Sequence, residues 1–124
     1  MNVVDSSGWL EYFADAPNAN FFAPVIEEMA GLLVPTICIL EVCRRLLQQR
    51  GKKAALEAAA LMRQARVVDL DTNIALSAAK LGAQTRLPLA DSVILATARL
   101  HGAVIWTQDA DFKDLDGVKY VAKR

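Results

Sequence analysis

The chain has 124 residues, and its 14 basic and 14 acidic side chains give a formal net charge of zero at pH 7. This length predicts a single domain over residues 1–124, and the balanced charge excludes an overall positive field that would attract nucleic acid, so any phosphate binding must be local. Hydrophobic residues make up 54% of the chain, a high share that predicts an apolar surface buried in an oligomer.

Short apolar runs alternate with helical patterns along the whole sequence. The predicted strands cover residues 2–4, 31–35, 66–69, 103–107 and 118–121, and the predicted helices cover residues 9–13, 21–29, 36–50, 52–64, 72–86 and 88–101. Because parallel strands need crossover connections, this alternation predicts a three-layer α/β domain with a parallel sheet of four to five strands. The last strand is expected at the edge of that sheet.

Asp91 is the one acid in an otherwise apolar helix opening over residues 87–98. Pro88 suits the entry of a helix, and an acid in the first turn is favoured by the helix dipole. The helical neighbours of Asp91 include Ile94 and Leu95, which are expected in the core, so the carboxylate lies in line with buried positions. For an isolated aspartate a capping role is the usual interpretation, since caps are far more common than sites. The other acids of the chain favour a functional site instead.

Three further acids are expected near the same edge of the sheet. Asp5 follows the first strand, Asp109 follows the fourth, and Glu41, four residues after Ile37, lies on or beside the inward face of its helix. Two like charges about 5 Å apart repel by about 3 kcal/mol at an effective dielectric of about 20, so clustered acids need a cation among them. Oxygen ligands without histidine suit a hard divalent ion, Mg²⁺ or Mn²⁺, and this indicates phosphoryl chemistry.

The numbers of cysteine and histidine residues argue against a zinc site and a disulfide. Two cysteines and one histidine do not supply the usual ligands of zinc, and Cys38 and Cys43, on different faces of one predicted helix, are expected as buried thiols without a disulfide. No run approaches the roughly twenty apolar residues of a membrane span, and residues 1–5 lack the basic start and apolar middle of a signal peptide. A cytoplasmic location is therefore expected.

Some residues near the acids have two interpretations each. Asp111 either replaces Asp109 as the fourth acidic ligand or caps the turn before Phe112. Thr107 and Ser6 either orient a water or a phosphate group, or cap turns and helices, as hydroxyl groups at strand ends commonly do. The sequence leaves these alternatives open.

Four motifs stand out by their order and spacing. They are Val4-Asp5-Ser6-Ser7, Pro35 followed by Glu41, Leu87-Pro88-Leu89-Ala90-Asp91 with Ile94 and Ala96-Thr97-Ala98, and Thr107-Gln108-Asp109-Ala110-Asp111-Phe112. Together they resemble the motifs of PIN-domain ribonucleases of the VapC toxin type. The likeness spans nearly the whole chain, and the last two motifs are the specific ones.

The resemblance implies an α/β/α sandwich with a parallel sheet and endonucleolytic cleavage of RNA by the toxin of a type II toxin–antitoxin system. It implies that Asp5, Glu41, Asp91 and Asp109 hold one or two Mg²⁺ or Mn²⁺ ions. It also implies a homodimer that is inhibited by a cognate VapB antitoxin, whose C-terminal segment covers the groove.

The densest basic cluster also has two interpretations. It either contacts the RNA backbone or an acidic segment of an antitoxin, with Arg44 and Arg45 as the candidate contacts, or it is a solvated helix end whose cations suit the helix dipole. The cluster consists of Arg44, Arg45, Arg50, Lys52 and Lys53.

Two other classes of protein share the predicted architecture. A receiver-like signalling module would use Asp69 as phosphoacceptor, with Thr107 and Lys119 near the same edge of the sheet. A catalytically silent interaction protein would keep the fold and only bind a partner. A receiver leaves Glu41 and Asp91 without a role, and a silent protein does not explain the full set of acids.

Overall fold

The computed structural model describes residues 1–124 and contains one five-stranded sheet and six α-helices. The predicted three-layer α/β/α architecture is confirmed, since each predicted strand and helix is present and the boundaries differ by only a few residues. The strands are β1 Asn2–Val4, β2 Leu32–Pro35, β3 Arg66–Val68, β4 Val104–Thr107 and β5 Val118–Tyr120; the helices are α1 Ser6–Phe13, α2 Ala19–Glu27, α3 Thr36–Gln49, α4 Lys52–Met62, α5 Thr72–Thr85 and α6 Leu89–Leu100, with 3₁₀ turns at Met29–Gly31 and Ala110–Phe112.

The sheet is parallel throughout, with the strand order β3-β2-β1-β4-β5. Val3, Val4 and Leu33 in the two inner strands β1 and β2 are fully buried, as expected for strands that helices cover on both faces. β5 lies at the edge, as predicted. The chain proceeds from β1 to β3 in one direction and from β4 to β5 in the other, so a crevice is expected at the carboxyl ends of β1 and β4.

The start of α1 packs closely against β1 and α2. A Cβ atom at Gly8 would lie 2.6 Å from Val4 Cγ1 and 2.6 Å from Phe22 Cε1. Glycine therefore lets α1 begin directly after β1, and this holds Asp5 between the strand and the helix.

The buried face of α3 carries Cys38, Val42 and Leu46. Ile37 is only half-buried, and Glu41 is also half-buried, beside the inward face rather than at its centre. Glu41 is therefore supported by the core and still accessible to a ligand.

Both cysteines are free, as predicted. Cys38 is buried, but Cys43 is partly exposed, so the expectation of two buried thiols is wrong for Cys43. None of the helices is long and apolar enough to cross a bilayer.

Candidate metal centre

A cleft of about 660 Å³ opens where β1 and β4 end. Asp5 follows β1, Asp109 follows β4, Glu41 projects from α3 and Asp91 from the first turn of α6, and all four side chains line this cleft. The strands and helices thus bring together acids that are up to 104 residues apart in the chain. Asp111 does not line the cleft itself but lies close to Asp91 and Asp109.

Asp5 is buried, with 2% of its surface exposed, and it is held by three groups of the protein. The Gly8 N–H donates to Asp5 Oδ1 at 3.0 Å, which caps α1. The Ser7 hydroxyl donates to the same oxygen at 2.8 Å, and the Thr107 hydroxyl donates to Oδ2 at 2.6 Å. The orientation of this carboxylate is therefore fixed before any ligand binds.

Burial raises the pKa of Asp5 from 3.8 to about 6. The hydrogen bonds from Thr107, Gly8 and Ser7 act in the opposite direction because they stabilise the charged form, and the charge of Asp109 raises the pKa slightly. Desolvation prevails, so the protein alone does not fully compensate the charge of Asp5.

Asp91 is half-buried, and its pKa is raised from 3.8 to about 7. Burial is the largest cause; the charge and side chain of Asp109 come next, followed by the charges of Asp5 and Glu41. None of these causes lowers the pKa, since no N–H or hydroxyl group of the protein stabilises the charged form of Asp91. The charged form of this carboxylate therefore has no stabilising partner within the protein.

Asp109 and Asp111 both come close to Asp91. One carboxylate oxygen from each of the three lies within 4.8 Å of the others, a spacing that allows one ion to contact all three. Asp109 Oδ1 also accepts a hydrogen bond from the Asp111 N–H at 2.9 Å and caps the 3₁₀ turn that contains Phe112. Of the two alternatives for Asp111, the capping one is wrong, because Asp109 caps the turn and Asp111 stays exposed.

Glu41 has one hydrogen-bond partner in the site. The Ser6 hydroxyl donates to Glu41 Oε1 at 2.6 Å, so Ser6 orients a candidate ligand instead of capping α1. Thr107 connects two further candidates, because its hydroxyl donates to Asp5 and accepts from the Asp109 N–H at 2.8 Å. Both hydroxyl residues therefore hold carboxylates of the cleft in position through hydrogen bonds.

Three cationic side chains line the same cleft: Arg44 and Arg45 from α3, and Lys123 from the segment after β5. All three are exposed. The only ion pair of the protein joins Lys53 and Glu57 on α4, so none of these cations lies within 4.0 Å of an acid of the cleft. Their charges are available to a ligand.

The sequence patterns did not single out several polar residues at or near this cleft. Glu11, Gln108 and Lys123 line it, and the fully buried Asn18 contacts Gln108. Asn18 appears in the sequence as part of a helix-breaking run, and the position of Gln108 next to Thr107 was its only signal. Lys123 carries no signal in the sequence.

The donor set fits a hard divalent cation. The acids offer several carboxylate oxygens and no nitrogen or sulfur, which suits Mg²⁺ or Mn²⁺. Two of the carboxyl groups have raised pKa values because of burial and mutual repulsion, and a cation would relieve both causes. The residues Asp91, Asp109, Asp111, Glu41 and Asp5 are therefore the ones that could hold such an ion.

The receiver-like alternative does not fit the sheet. In that arrangement β1 lies between β2 and β3, whereas in this protein β1 lies between β2 and β4. Asp69 is exposed at the end of the edge strand β3 and does not line the cleft, and Lys119 lies 4.7 Å from the Trp106 ring centroid. The interpretation of Asp69, Thr107 and Lys119 as a phosphoacceptor site is therefore wrong.

Comparisons with known proteins give one family. The model of the PIN domain matches residues 3–118. No curated protein matches the chain by sequence.

Several solved structures share the fold. A toxin–antitoxin complex from Klebsiella pneumoniae aligns with a TM-score of 0.80 and 21% identity over 96% of each chain. VapC20 of Mycobacterium tuberculosis, a sarcin–ricin loop cleaving toxin, aligns with a TM-score of 0.81 and 18% identity over 95% of this chain and 97% of that chain. FitAcB from Neisseria gonorrhoeae aligns with a TM-score of 0.74 and 19% identity over 97% of this chain and 96% of that chain.

Proposed function

This chain belongs to the PIN domain family, and on that premise we propose that residues 1–124 form a single-domain, metal-dependent endoribonuclease. The observation that carries the proposal is the acidic cleft, in which Asp5, Glu41, Asp91 and Asp109 meet from distant parts of the chain. The raised pKa values of Asp5 and Asp91 support a cation as the missing component. We further propose the role of a VapC-type toxin in a type II toxin–antitoxin system.

Each acid has a part in this proposal. Asp91, Asp109 and Asp111, whose carboxylate oxygens lie within 4.8 Å of one another, bind the ion. Glu41 adds a ligand from α3 on the same cleft, and the buried Asp5 completes the acidic set at the end of β1. A bound Mg²⁺ or Mn²⁺ ion would lower the pKa of a water and neutralise charge on the phosphoryl oxygens. Carboxylates that are ionised and close together hold such an ion, so replacing one by an amide removes both a ligand and a charge.

The two hydroxyl residues keep these ligands in place. Ser6 holds Glu41 and Thr107 holds Asp5, with donor–acceptor distances of 2.6 Å in both pairs. Partners that orient metal ligands commonly account for about 10-fold to 100-fold in metal affinity. We therefore assign Ser6 and Thr107 to positioning rather than to contact with the scissile phosphate.

Partner proteins are proposed from the surface and from the relatives. Large apolar side chains are exposed on several helices, among them Leu40 and Leu47 on α3 and Leu76 on α5, at 60%, 54% and 67%. Exposed leucines support a homodimer and a docked antitoxin, and a chain in the structure of DNA-bound VapBC from Salmonella typhimurium shares the fold. A VapB-type antitoxin and an RNA substrate together support a cytoplasmic site of action.

One experiment tests substrate, ion and reaction class together. The purified chain is incubated with total RNA in Mn²⁺, and the cut ends are mapped before and after addition of a chelator. We expect discrete cuts that stop when the ion is removed and resume when Mn²⁺ or Mg²⁺ is restored. Cutting that continues in excess chelator would contradict the metal-dependent mechanism, and intact RNA under all conditions would contradict the nuclease.

A thermal unfolding series distinguishes the nuclease from the silent binding module. Mn²⁺ should raise the melting temperature of the nuclease because the ion binds the folded state only. A silent scaffold with no ion site shows no such gain. Thermal unfolding requires no knowledge of the natural RNA.

A further inference from the structure

Residues 121–124, which we call the post-β5 segment, are attached to the wall of the acidic cleft. The Val121 N–H donates to the carbonyl oxygen of Thr107 at 3.0 Å. The segment therefore leaves β5 alongside the end of β4, where Thr107 is one of the residues that support the site.

Asn18 makes two further attachments to this segment. It is fully buried, and its Nδ2 donates to the Ala122 carbonyl at 3.0 Å and to Gln108 Oε1 at 2.9 Å. Its Oδ1 accepts from Arg124 Nε at 2.9 Å. One side chain thus holds the residues on both sides of Lys123, and its amide group has no free donor left.

The hydrogen bonds of Asn18 continue to Glu11 on α1 and to Gln108 at the acidic cleft. Gln108 Nε2 donates to Glu11 Oε1 at 3.0 Å, and Glu11 Oε2 accepts from the Asn18 N–H at 2.8 Å. Gln108 directly precedes Asp109. Because an unpaired buried polar group is costly, a satisfied network of this kind holds its members in one arrangement.

Lys123 is the residue that this arrangement presents to the cleft. Its side chain is exposed, it lines the cleft, and no carboxylate lies within 4.0 Å of its ammonium group. Arg44 and Arg45 line the same cleft from α3. A lysine that is held at its backbone and left without an ion pair is suited to bind an anionic group of a ligand.

We propose that Lys123 binds a backbone phosphate of RNA next to the scissile one and that Asn18 positions Lys123 for this contact. The inference rests on the proposed ribonuclease function and adds a substrate-binding residue and a positioning residue to it. Backbone phosphates carry the sequence-independent part of RNA affinity and make it depend on salt. The contact should therefore affect binding of RNA more than the chemical step.

The first test uses Lys123→Ala, with Lys80→Ala on the exposed face of α5 as the matched control. Binding of a single-stranded RNA oligonucleotide is measured by fluorescence anisotropy in Ca²⁺ over a range of salt concentrations. We expect Lys123→Ala to raise the Kd about tenfold and to reduce the slope of log Kd against log salt by about 0.7. A Kd and slope equal to those of Lys80→Ala, or a wild-type protein that does not bind RNA, would overturn the proposal.

Cleavage of the same oligonucleotide in Mn²⁺ is measured separately. Lys123→Ala should raise KM and leave kcat unchanged, as expected for a contact made equally in the ground state and the transition state. RNA that is bound through Lys123 but never cut would contradict the proposed nuclease and leave the phosphate contact standing. RNA that is cut equally well by both lysine variants would contradict the contact and leave the nuclease standing.

The positioning role of Asn18 has its own test. If Asn18 acts through Lys123, the variant Asn18→Ala should weaken RNA binding as much as Lys123→Ala, and the double variant should lose no more. Because Asn18 is buried, Arg124→Lys provides a milder change that keeps the charge and removes the Nε donor; it should raise the Kd about threefold. Additive losses in the double variant, or an Arg124→Lys protein that binds like wild type, would overturn the positioning role.

Discussion

The two walls of the acidic cleft differ in the hydrogen-bond donors that they offer to their carboxylates. On the wall formed by β1 and β4, Asp5 accepts hydrogen bonds from Ser7, Gly8 and Thr107. On the wall formed by α6, Asp91 has no such donor, and the neighbouring Asp109 is itself an acid. The first carboxylate thus has its hydrogen-bond partners within the fold, and the second has none.

The pKa values express this difference. Asp91 is less buried than Asp5, yet its pKa is about 7 while that of Asp5 is about 6. The hydrogen bonds to Asp5 oppose the effect of burial on its pKa, whereas the repulsion around Asp91 adds to the effect of burial. The protein thus fixes Asp5 as part of its fold and leaves Asp91 free to bind the ion that we propose.

Asp91→Asn should have the largest effect on activity and none on folding. Loss of a ligand and a charge should lower the cleavage rate by at least about 100-fold. The metal-free protein at neutral pH should unfold at an unchanged or higher temperature, because a repulsive charge is removed and no hydrogen bond is lost. The control is Asp69→Asn, which changes an exposed acid outside the cleft; metal-dependent activity retained in Asp91→Asn would remove Asp91 from the site.

Thr107→Val tests the opposite wall. The substitution removes the donor to Asp5 Oδ2 and the acceptor of the Asp109 N–H, so we expect the free energy of unfolding to fall by about 1–3 kcal/mol. Urea unfolding in chelator measures it. The matched control is Thr97→Val, because Thr97 is also buried but donates only to the Val93 carbonyl of its own helix. Equal losses in the free energy of unfolding would show that the hydrogen bond to Asp5 does not stabilise the fold more than an ordinary buried hydroxyl contact.

Ser6→Ala should weaken the site without weakening the fold. The Ser6 hydroxyl is the one group that holds Glu41, and its loss should raise the Kd for Mn²⁺ about tenfold. Isothermal titration with Mn²⁺ measures the change, and Ser77→Ala on the exposed part of α5 is the control. Unchanged Mn²⁺ affinity in Ser6→Ala would mean that Glu41 is not a ligand or does not need Ser6.

The smallest effect concerns pH. Asp5 and Asp91 have pKa values of about 6 and about 7 in the folded protein, above the ordinary 3.8, so the folded state binds protons more tightly than the unfolded state. The free energy of unfolding of the metal-free protein should therefore rise as pH falls from about 7.5 to about 5, by about 1 kcal/mol from Asp5 alone.

Saturating Mn²⁺ should flatten this dependence, because the ion compensates the same charges. Urea unfolding at the two pH values, in chelator and in Mn²⁺, gives the four free energies that are needed. A metal-free protein that loses stability on acidification in this range would contradict the raised pKa values.

Much of the local structure was predictable because it depends on neighbouring residues. The apolar run at Val3 and Val4 became β1, and the helix predicted over residues 72–86 became α5, which Asp71 caps by accepting from the Ile74 N–H at 2.9 Å. The division of roles between Asp109 and Asp111 was not predictable, since either side chain could cap the turn and only the geometry of the turn distinguishes them.

The network of Asn18, Gln108 and Glu11 could not be predicted for a different reason. Asn18 and Gln108 are 90 residues apart, and Asn18 and Ala122 are 104 residues apart. No local pattern of polarity signals such a contact, because each residue alone resembles an ordinary polar residue in a turn or at a strand end.

The sequence by itself determined the strands, the helices and their order, because apolar periodicity, caps and breakers act over a few residues. It also determined which acids follow β1 and β4, since that depends only on where each strand ends. Only the tertiary structure decided that Asp5 is held by Thr107, that Asp91 is left without a donor and that Asn18 holds the residues on both sides of Lys123. Those contacts join residues that are distant in the chain, and packing between elements, rather than local propensity, sets them.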